Sequence, residues 1–134
     1  RDGTKKRRGR DTRMSLNIDI APTLQKLCDL KNQENHGLEL IHPNQYYERE
    51  AFYYEHRFQT NDVKILPSSG LRTNQHKYIK FKNPTNTEEF LFNIAIDQHE
   101  KYNLAHLKQY QYLLSEMRNL HDKLELNLTS GFSD

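Results

Sequence analysis

The sequence has a single cysteine, Cys28, among 134 residues. One thiol cannot form an internal disulfide, and it cannot supply the several thiolates of a cysteine metal cluster. No stretch approaches the roughly 20 consecutive apolar residues that a membrane-spanning helix needs. No signal peptide is recognisable, and one that precedes Arg1 would not be visible. The chain also lacks a glycine-rich phosphate loop and the Gly-x-Ser-x-Gly turn of many hydrolases. These absences exclude several catalytic classes and a membrane span, and they leave the cellular compartment open.

Apolar residues are also scarce, since hydrophobic types make up 34% of the chain. A compact domain of this length buries roughly two-thirds of the surface of its unfolded chain. The sequence therefore predicts either a small, aromatic-rich core or a part of a larger protein, and Arg1 in place of an initial Met favours the second. The net charge of +2 creates no strong overall field. The basic excess is concentrated in residues 5–13, which we expect to be a solvated loop.

The first 45 residues predict one strand and one helix. Apolar residues alternate in the segment 14–19, as they do in a short strand. Asp19 is the predicted N-cap of a helix over 20–30, and Pro22 lies in its first turn, where a missing N–H costs little. One face of this helix is apolar. Its members are Ile20, Leu24, Leu27 and Cys28, and the thiol is predicted to be buried and inert.

Four later segments have the features of β-strands. In the segment 51–58, Phe52, Tyr54 and His56 alternate with Tyr53, Glu55 and Arg57. The other predicted strands are 71–73, 77–81 and 89–92, and the predicted turns are 67–70 and 83–86. Short strands joined by short turns favour an antiparallel meander.

The C-terminal segment has the clearest helical period. Large apolar residues recur at three- and four-residue steps from Leu107 to Leu128. His121 falls on this stripe, where we expect it to pack or to lie at the edge, and residues 130–134 should fray. The sequence thus predicts an α+β fold in which a C-terminal helix packs on a four-stranded antiparallel sheet, with a second helix before the sheet.

A possible metal motif is incomplete. His99 and Glu100 begin like the zinc motif HExxH, but Asn103 occupies the position of its second histidine. His106 lies seven residues after His99 and could share a helical face with it, but such a pair is not a recognised ligand set. We therefore predict no metal ligands in this chain and no self-sufficient catalytic constellation.

Four blocks in the correct order resemble the sulfatases, the calcium-dependent, formylglycine-using enzymes of the alkaline-phosphatase-like superfamily. They are NIDIAPTL at 17–24, REAFYYEH at 49–56, GLRT followed by HKYIK within 70–80, and EEFLFNI with the later HE and NLA within 88–105. The likeness is greatest to bacterial-type sulfatases that act on glycans, including the sulfoglucosamine sulfohydrolase group. The chain departs from the family pattern at Gln98, where proline is usual, and at Phe92 and Asn93, where Tyr-Asp is usual.

The resemblance implies a C-terminal part of a sulfatase. Residues 1–45 would be the distal end of the catalytic α/β domain, 46–128 the C-terminal subdomain and 129–134 a tail. Formylglycine, formed within a Cys/Ser-x-Pro-x-Arg motif, and calcium belong to the upstream region; Cys28 lacks the proline and arginine of that motif. No cofactor is therefore expected in this chain, and alone it should be inactive. The implied partners are the missing N-terminal region and a sulfated carbohydrate, and the intact enzyme is expected to be periplasmic, secreted or lysosomal.

The resemblance also implies three substrate-binding candidates, because the family's matching strand points its end toward the substrate pocket. His56 would donate a hydrogen bond to a sugar hydroxyl or a sulfate. Glu55 would accept hydrogen bonds from sugar hydroxyls or orient an imidazole. Arg72 would pair with a sulfate group or, alternatively, with a neighbouring carboxylate. The alternative for His56 is that it merely ends the strand.

Two other functions stay open on sequence grounds. The chain could be a free-standing basic module that binds heparin-like glycan or RNA through residues 5–13 and the strand tyrosines. A helix and a long loop separate that basic run from the aromatic residues, so nucleic acid is not an expected partner. The second alternative is a phosphoryl-type hydrolase of the same superfamily, which only upstream sequence could distinguish from a sulfatase.

Overall fold

The computed structural model describes residues 12–30, 36–41, 49–57, 66–82 and 86–130, with side chains described up to residue 128. The predictions for the basic run up to residue 11, for turn residues 83–85 and for the tail after residue 130 lie outside the described residues. The chain divides into two compact units, Arg1–Arg49 and Glu50–Asp134. The assignment of the first unit to a catalytic α/β domain stays a prediction.

The first unit contains a 3-10 turn, Asn17–Asp19, that leads directly into helix α1, Ile20–Leu27. The predicted strand over 14–19 is therefore wrong. The Asp19 side chain explains why, because its carboxylate accepts the Leu16 N–H at 2.7 Å and so closes a turn. Asp19 does occupy the N-cap position of α1, but its carboxylate bonds backward along the chain instead of capping the helix.

Helix α1 is shorter than predicted. It ends at Leu27, and Asp29 has a positive φ of 52°, which turns the chain out of the helix. Cys28 is consequently exposed, so the predicted burial of its thiol is wrong. The apolar face of α1 is also open, since Ile20, Leu24 and Leu27 retain 55%, 53% and 65% of their surface.

The second unit contains a four-stranded antiparallel sheet. Its strands are β1 (Ala51–His56), β2 (Ser68–Thr73), β3 (His76–Lys82) and β4 (Thr87–Asn93), and they lie in chain order. The predicted meander is confirmed. The predicted turn at 67–70 is wrong, because residues 68–70 belong to β2. Gly70 is needed there for close packing, since a Cβ atom would lie 2.3 Å from Cζ of Tyr54.

Helix α2, Gln111–Ser130, covers one face of the sheet. The core between them consists of Leu71, Tyr78, Leu91, Ala105, Leu114 and Met117. The predicted apolar stripe is confirmed at its centre, whereas Leu107 and Leu128 are 44% and 45% exposed. The α+β class is confirmed. Among the described residues, no helix is both long and apolar enough to cross a membrane.

Candidate functional site

Strand β1 sends alternate side chains to the two faces of the sheet. Tyr53 faces α2, since its ring lies 5.2 Å from that of His121 and its hydroxyl oxygen lies 3.2 Å from Oε1 of Glu125. Phe52 and Tyr54 are in contact on the opposite face, with ring centres 6.1 Å apart. We call this opposite surface the far face. The predicted alternation along this strand is therefore confirmed.

Glu55 lies on the helix side of β1. Its carboxylate accepts a hydrogen bond from the Tyr53 hydroxyl at 2.6 Å and forms an ion pair with Arg57. These two contacts, that of Arg57 first, lower the pKa of Glu55 and keep it ionised near neutral pH. His56 points to the far face, so Glu55 does not orient its imidazole. Contact of Glu55 with a sugar stays a prediction.

His56 and Arg72 share the far face but do not form a cluster. His56 is exposed and pairs with Ser68 at one end of β1, while the exposed Arg72 pairs with Phe52 near the other end. Four residues separate these positions, which is roughly 13 Å along a strand. Within the described part of the chain, neither side chain has a hydrogen-bond or ion-pair partner.

The alternative role for Arg72, pairing with a neighbouring carboxylate, is not observed among the described residues. The nearby carboxylate of Glu100 binds Lys77 instead, with Nζ–O distances of 2.8 and 2.6 Å. Lys77 lies directly across from Arg72 in the β2–β3 pair. The guanidinium of Arg72 is therefore available for an anion from outside the described residues.

Tyr54 was not predicted as a site residue, yet it lies between His56 and Arg72 on the far face. Its hydroxyl is buried and has no hydrogen-bond partner among the described residues. Burial, followed by the negative charge of Glu100, raises the pKa of Tyr54 to about 12. A buried hydroxyl without a partner costs about 1–3 kcal/mol. The missing partner of this hydroxyl could not be predicted from the sequence, because the alternating pattern predicts only a packed aromatic ring.

A buried polar chain joins β2 to α2 on the helix side. His121 has no exposed surface, and its Nε2 lies 2.9 Å from Oγ of Ser69, while its Nδ1 lies 3.0 Å from Oδ1 of Asp122. Serine, histidine and aspartate follow one another here as in a hydrolase triad. Ser69 is only 1% exposed, so no substrate can reach its hydroxyl. The predicted packing of His121 is confirmed. Its contact with Ser69 attaches α2 to β2.

The residues of the incomplete zinc motif lie outside any helix, so the predicted shared helical face of His99 and His106 is wrong. Asn103 instead connects the chain to the edge of the sheet. Its Oδ1 accepts the N–H groups of Leu91 and Ala105, both at 3.0 Å, and its Nδ2 donates to the Glu89 carbonyl at 3.1 Å. Asn103 thus satisfies backbone groups along β4.

A cleft of about 510 Å³ opens between β4 and the start of α2. Its walls include His106, Gln111 and the ion pair of Glu89 with Arg118. None of the three predicted substrate-binding residues lines this cleft. The structure thus separates the far face of the sheet from the cleft at its edge.

Comparison with solved structures shows the same fold in several hydrolases. BT4656 from Bacteroides, in complex with its substrate D-glucosamine-2-N,6-O-disulfate, is 20% identical over 85% of this chain, with a TM-score of 0.69. BT1596 from Bacteroides, a 2-O GAG sulfatase, is 27% identical over 78% of this chain, with a TM-score of 0.67. The phosphonate monoester hydrolase of Agrobacterium radiobacter is 21% identical over 77%, with a TM-score of 0.51.

This chain spans about a quarter of the length of those structures, with 24%, 23% and 24% of each covered. No curated protein sequence matches it. Residues 3–127 match the family described as N-sulphoglucosamine sulphohydrolase, C-terminal. Because this match covers almost the whole sequence, the chain belongs to that family and is a sulfatase C-terminal domain.

Proposed function

We propose that this domain completes a sulfatase that acts on a sulfated carbohydrate and that the catalytic centre lies in polypeptide outside this chain. The family match over residues 3–127 carries the proposal. Two matching structures support the substrate class, since one contains a disulfated glucosamine and the other is a GAG sulfatase. This chain spans only about a quarter of either, so most of such an enzyme, including its reactive residues, would lie elsewhere.

Neither Cys28 nor Asp19 fits the cofactors that the family resemblance implies. Cys28 is exposed, but Asp29 and Leu30 follow it where formylglycine formation requires a motif with proline and arginine. Asp19 is fully buried, and both of its oxygens already accept hydrogen bonds from Arg49. It is therefore not available as a calcium ligand. The remainder of the enzyme would supply formylglycine and calcium.

The first test is direct. The purified 134-residue chain should not hydrolyse an aryl sulfate, and measurable turnover would overturn the proposal. The gene region that encodes the residues before Arg1 should contain an in-frame Cys/Ser-x-Pro-x-Arg motif. A phosphatase-type nucleophile in that region would assign the domain to another hydrolase of the superfamily.

Two residues of the far face are proposed to contact substrate, each at its own position. Arg72 can bind a sulfate through two N–H donors, and the His56 imidazole can donate to a sulfate or a sugar hydroxyl. Both side chains are exposed and have no partner within the described residues. Glu55 is assigned to holding Tyr53 and Arg57, with which it already forms hydrogen bonds.

Kinetics of the full-length enzyme test these contacts. Hydrogen bonds to charged groups contribute about 1.5–3 kcal/mol. Arg72→Ala should therefore lower kcat/KM for a sulfated glucosamine roughly 10- to 100-fold while leaving the affinity for the desulfated sugar unchanged. Arg57→Ala is the matched control, since it removes an exposed arginine on the helix side and should change kcat/KM less than twofold. If both variants lower kcat/KM equally, Arg72 does not contact the substrate.

The exposed face of α1 is proposed to contact the catalytic region. Ile20, Leu24 and Leu27 on α1, and Leu30 just after it, retain between 53% and 65% of their surface. Full burial of such a side chain contributes about 1.5–3 kcal/mol. Since roughly three-fifths of each is still exposed, covering all four would stabilise the complex by roughly 4–7 kcal/mol. An open aliphatic patch of this kind promotes association in solution.

The contact between α1 and the catalytic region can be tested by comparing one substitution in the isolated chain and in the full-length enzyme. Leu24→Ser should make the isolated chain bind less of a hydrophobic dye, because it removes exposed apolar surface. The same substitution should lower the Tm of the full-length enzyme by several degrees, because there the side chain is buried. Lys26→Gln on the same helix serves as a control that changes neither property. An unchanged Tm for full-length Leu24→Ser would show that α1 does not contact the catalytic region.

A further inference from the structure

One turn of α2 brings three potential metal ligands together on the helix side of the sheet. One ring nitrogen of His121 and one carboxylate oxygen each of Asp122 and Glu125 all lie within 4.8 Å of one another. Nδ1 is the nitrogen that faces Asp122, and we take it as the ligand atom. His121 and Glu125 are four residues apart, which places them on the same helical face. Two ligand atoms bound to one metal at about 2.0–2.2 Å lie roughly 3 Å apart. The observed 3.0 Å between Nδ1 and Oδ1 of Asp122 fits that spacing.

The second nitrogen of His121 is already held. Metal-binding histidines donate the N–H of their other ring nitrogen to an oxygen, which fixes the orientation of the ring. Nε2 of His121 lies 2.9 Å from Oγ of Ser69, and both residues are buried.

Either ring nitrogen of His121 can carry the proton in these two contacts. Metal binding at Nδ1 would select the tautomer in which Nε2 carries the hydrogen and donates it to Ser69, and Nδ1 would then offer its lone pair to the ion.

We infer that His121, Asp122 and Glu125 form a binding site for a divalent transition metal such as Zn²⁺, with further coordination positions filled by water. One imidazole with two carboxylates suits zinc and its neighbours better than calcium, which prefers oxygen ligands alone. Asp122 is 59% exposed, which gives the ion a route to the otherwise buried Nδ1. Glu125 already contacts Nζ of Lys82 at 3.4 Å and the Tyr53 hydroxyl at 3.2 Å, and the metal would compete with both contacts. The site is independent of the proposed substrate contacts, which lie on the far face.

Zinc titration of the 134-residue chain tests the site. Calorimetry at neutral pH in a non-chelating buffer should show one Zn²⁺ bound per chain. Asp122→Asn and Glu125→Gln should each weaken binding at least tenfold, and Ser69→Ala should weaken it by about 10- to 100-fold through loss of ring orientation. Glu116→Gln is the matched control. It removes the same charge from an exposed position of α2 and should change the affinity less than twofold.

A spectroscopic measurement identifies the atom that binds. In nitrogen-15 NMR, one equivalent of Zn²⁺ should shift the Nδ1 signal of His121 while the Nε2 signal keeps its attached proton. The absence of binding at millimolar Zn²⁺ would overturn the inference. Binding that persists in Asp122→Asn and Glu125→Gln would also overturn it, because the metal would then lie on other histidines. Both variants change partly exposed side chains, and circular dichroism should confirm that they remain folded.

Discussion

Removal of the Asp19 carboxylate should strongly destabilise the first unit. Asp19 has no exposed surface and accepts four hydrogen bonds. Arg49 donates two of them, at 2.8 and 2.7 Å, and the N–H groups of Leu16 and Leu38 donate the others, at 2.7 and 2.8 Å. One side chain thereby connects the start of α1, a segment near residue 38 and Arg49 at the end of the first unit.

The size of the effect follows from what Asp19→Ala leaves behind. Arg49 is 11% exposed, so its charge would stay largely buried without a partner. Removing one partner of a buried ion pair costs about 3–5 kcal/mol of stability. The exposed Asp29 in the same unit provides a control, since its positive φ is well tolerated by asparagine. Asp29→Asn should change the free energy of unfolding by less than about 0.5 kcal/mol.

Hydrogen exchange measures this effect locally. The amide protons of Leu16 and Leu38 should exchange at least 100-fold faster in Asp19→Ala, in step with the loss of about 3 kcal/mol or more. Urea unfolding should report the corresponding change in free energy. If both measurements give less than about 1 kcal/mol, the buried ion pair is not what stabilises this unit.

Asp19 also determines how the stability of the first unit depends on acid pH. Arg49, by hydrogen bonding, holds the pKa of Asp19 far below its ordinary value of 3.8, with further contributions from the Leu38 and Leu16 amides. Because this pKa is lowered in the folded state, the stabilisation is complete above pH 3.8 and is lost as the pH falls toward the folded-state pKa. Protection of the Leu38 amide should therefore be constant from pH 5 to 7 and decline below about pH 4. A decline that begins near pH 6 would implicate a histidine instead.

Three substitutions in the second unit have distinct expected outcomes. Gly70→Ala should destabilise the second unit by at least about 2 kcal/mol, because the new Cβ clashes with the Tyr54 ring. Adding Tyr54→Ala to this variant should recover part of the lost stability in thermal unfolding. Tyr54→Phe in the isolated chain should leave the Tm unchanged or raise it slightly, because the hydroxyl has no partner among the described residues; a clear fall in Tm would contradict this. Asn103→Ala should lower the free energy of unfolding by about 2–3 kcal/mol, because it removes three hydrogen bonds. Asn103→Asp should lower it less, because it keeps the acceptor for Leu91. Equal losses for the two variants in urea unfolding would reject that explanation.

Local patterns predicted the parts of the fold that depend on local spacing. The alternation in 51–58 assigned Phe52 and Tyr54 to one face of β1 and Tyr53 to the other, because a strand has a period of two. The recurrence of apolar residues in the C-terminal helix likewise identified Leu114 and Met117 as core. In each case the information lies within a few turns or strand positions, so no distant contact is needed.

The errors arose where distant residues decide the local conformation. Gly70 follows Pro67 and two serines, which favours a turn, yet the ring of Tyr54 from the neighbouring strand requires a glycine within β2. Asp19 bonds to Arg49, 30 positions away, and His121 bonds to Ser69, 52 positions away. Spacing in one sequence cannot reveal such pairs.

The candidate site was predicted less well than the fold for a related reason. Glu55 and His56 are neighbours in sequence, and adjacency favoured a joint role. Adjacent strand residues point to opposite faces, so the strand itself separates the pair. Arg72 lies in a strand as predicted, but its four-residue offset from His56 depends on the β1–β2 register. That register is set by pairing across the sheet.

Two features that a small domain would normally avoid occur in different units. The α1 face leaves Leu24 and Leu27 more than half exposed, and the Tyr54 hydroxyl is buried without a partner among the described residues. The exposed α1 face forgoes the stabilisation of apolar burial, and the Tyr54 hydroxyl forgoes that of a hydrogen bond. A larger enzyme can correct both, by covering α1 and by donating to or accepting from Tyr54. Full-length Tyr54→Phe should then be less stable than wild type by about 1 kcal/mol, the reverse of its effect in the isolated chain. If the hydroxyl is equally dispensable in both contexts, the far face meets no polar group of the catalytic region at this position.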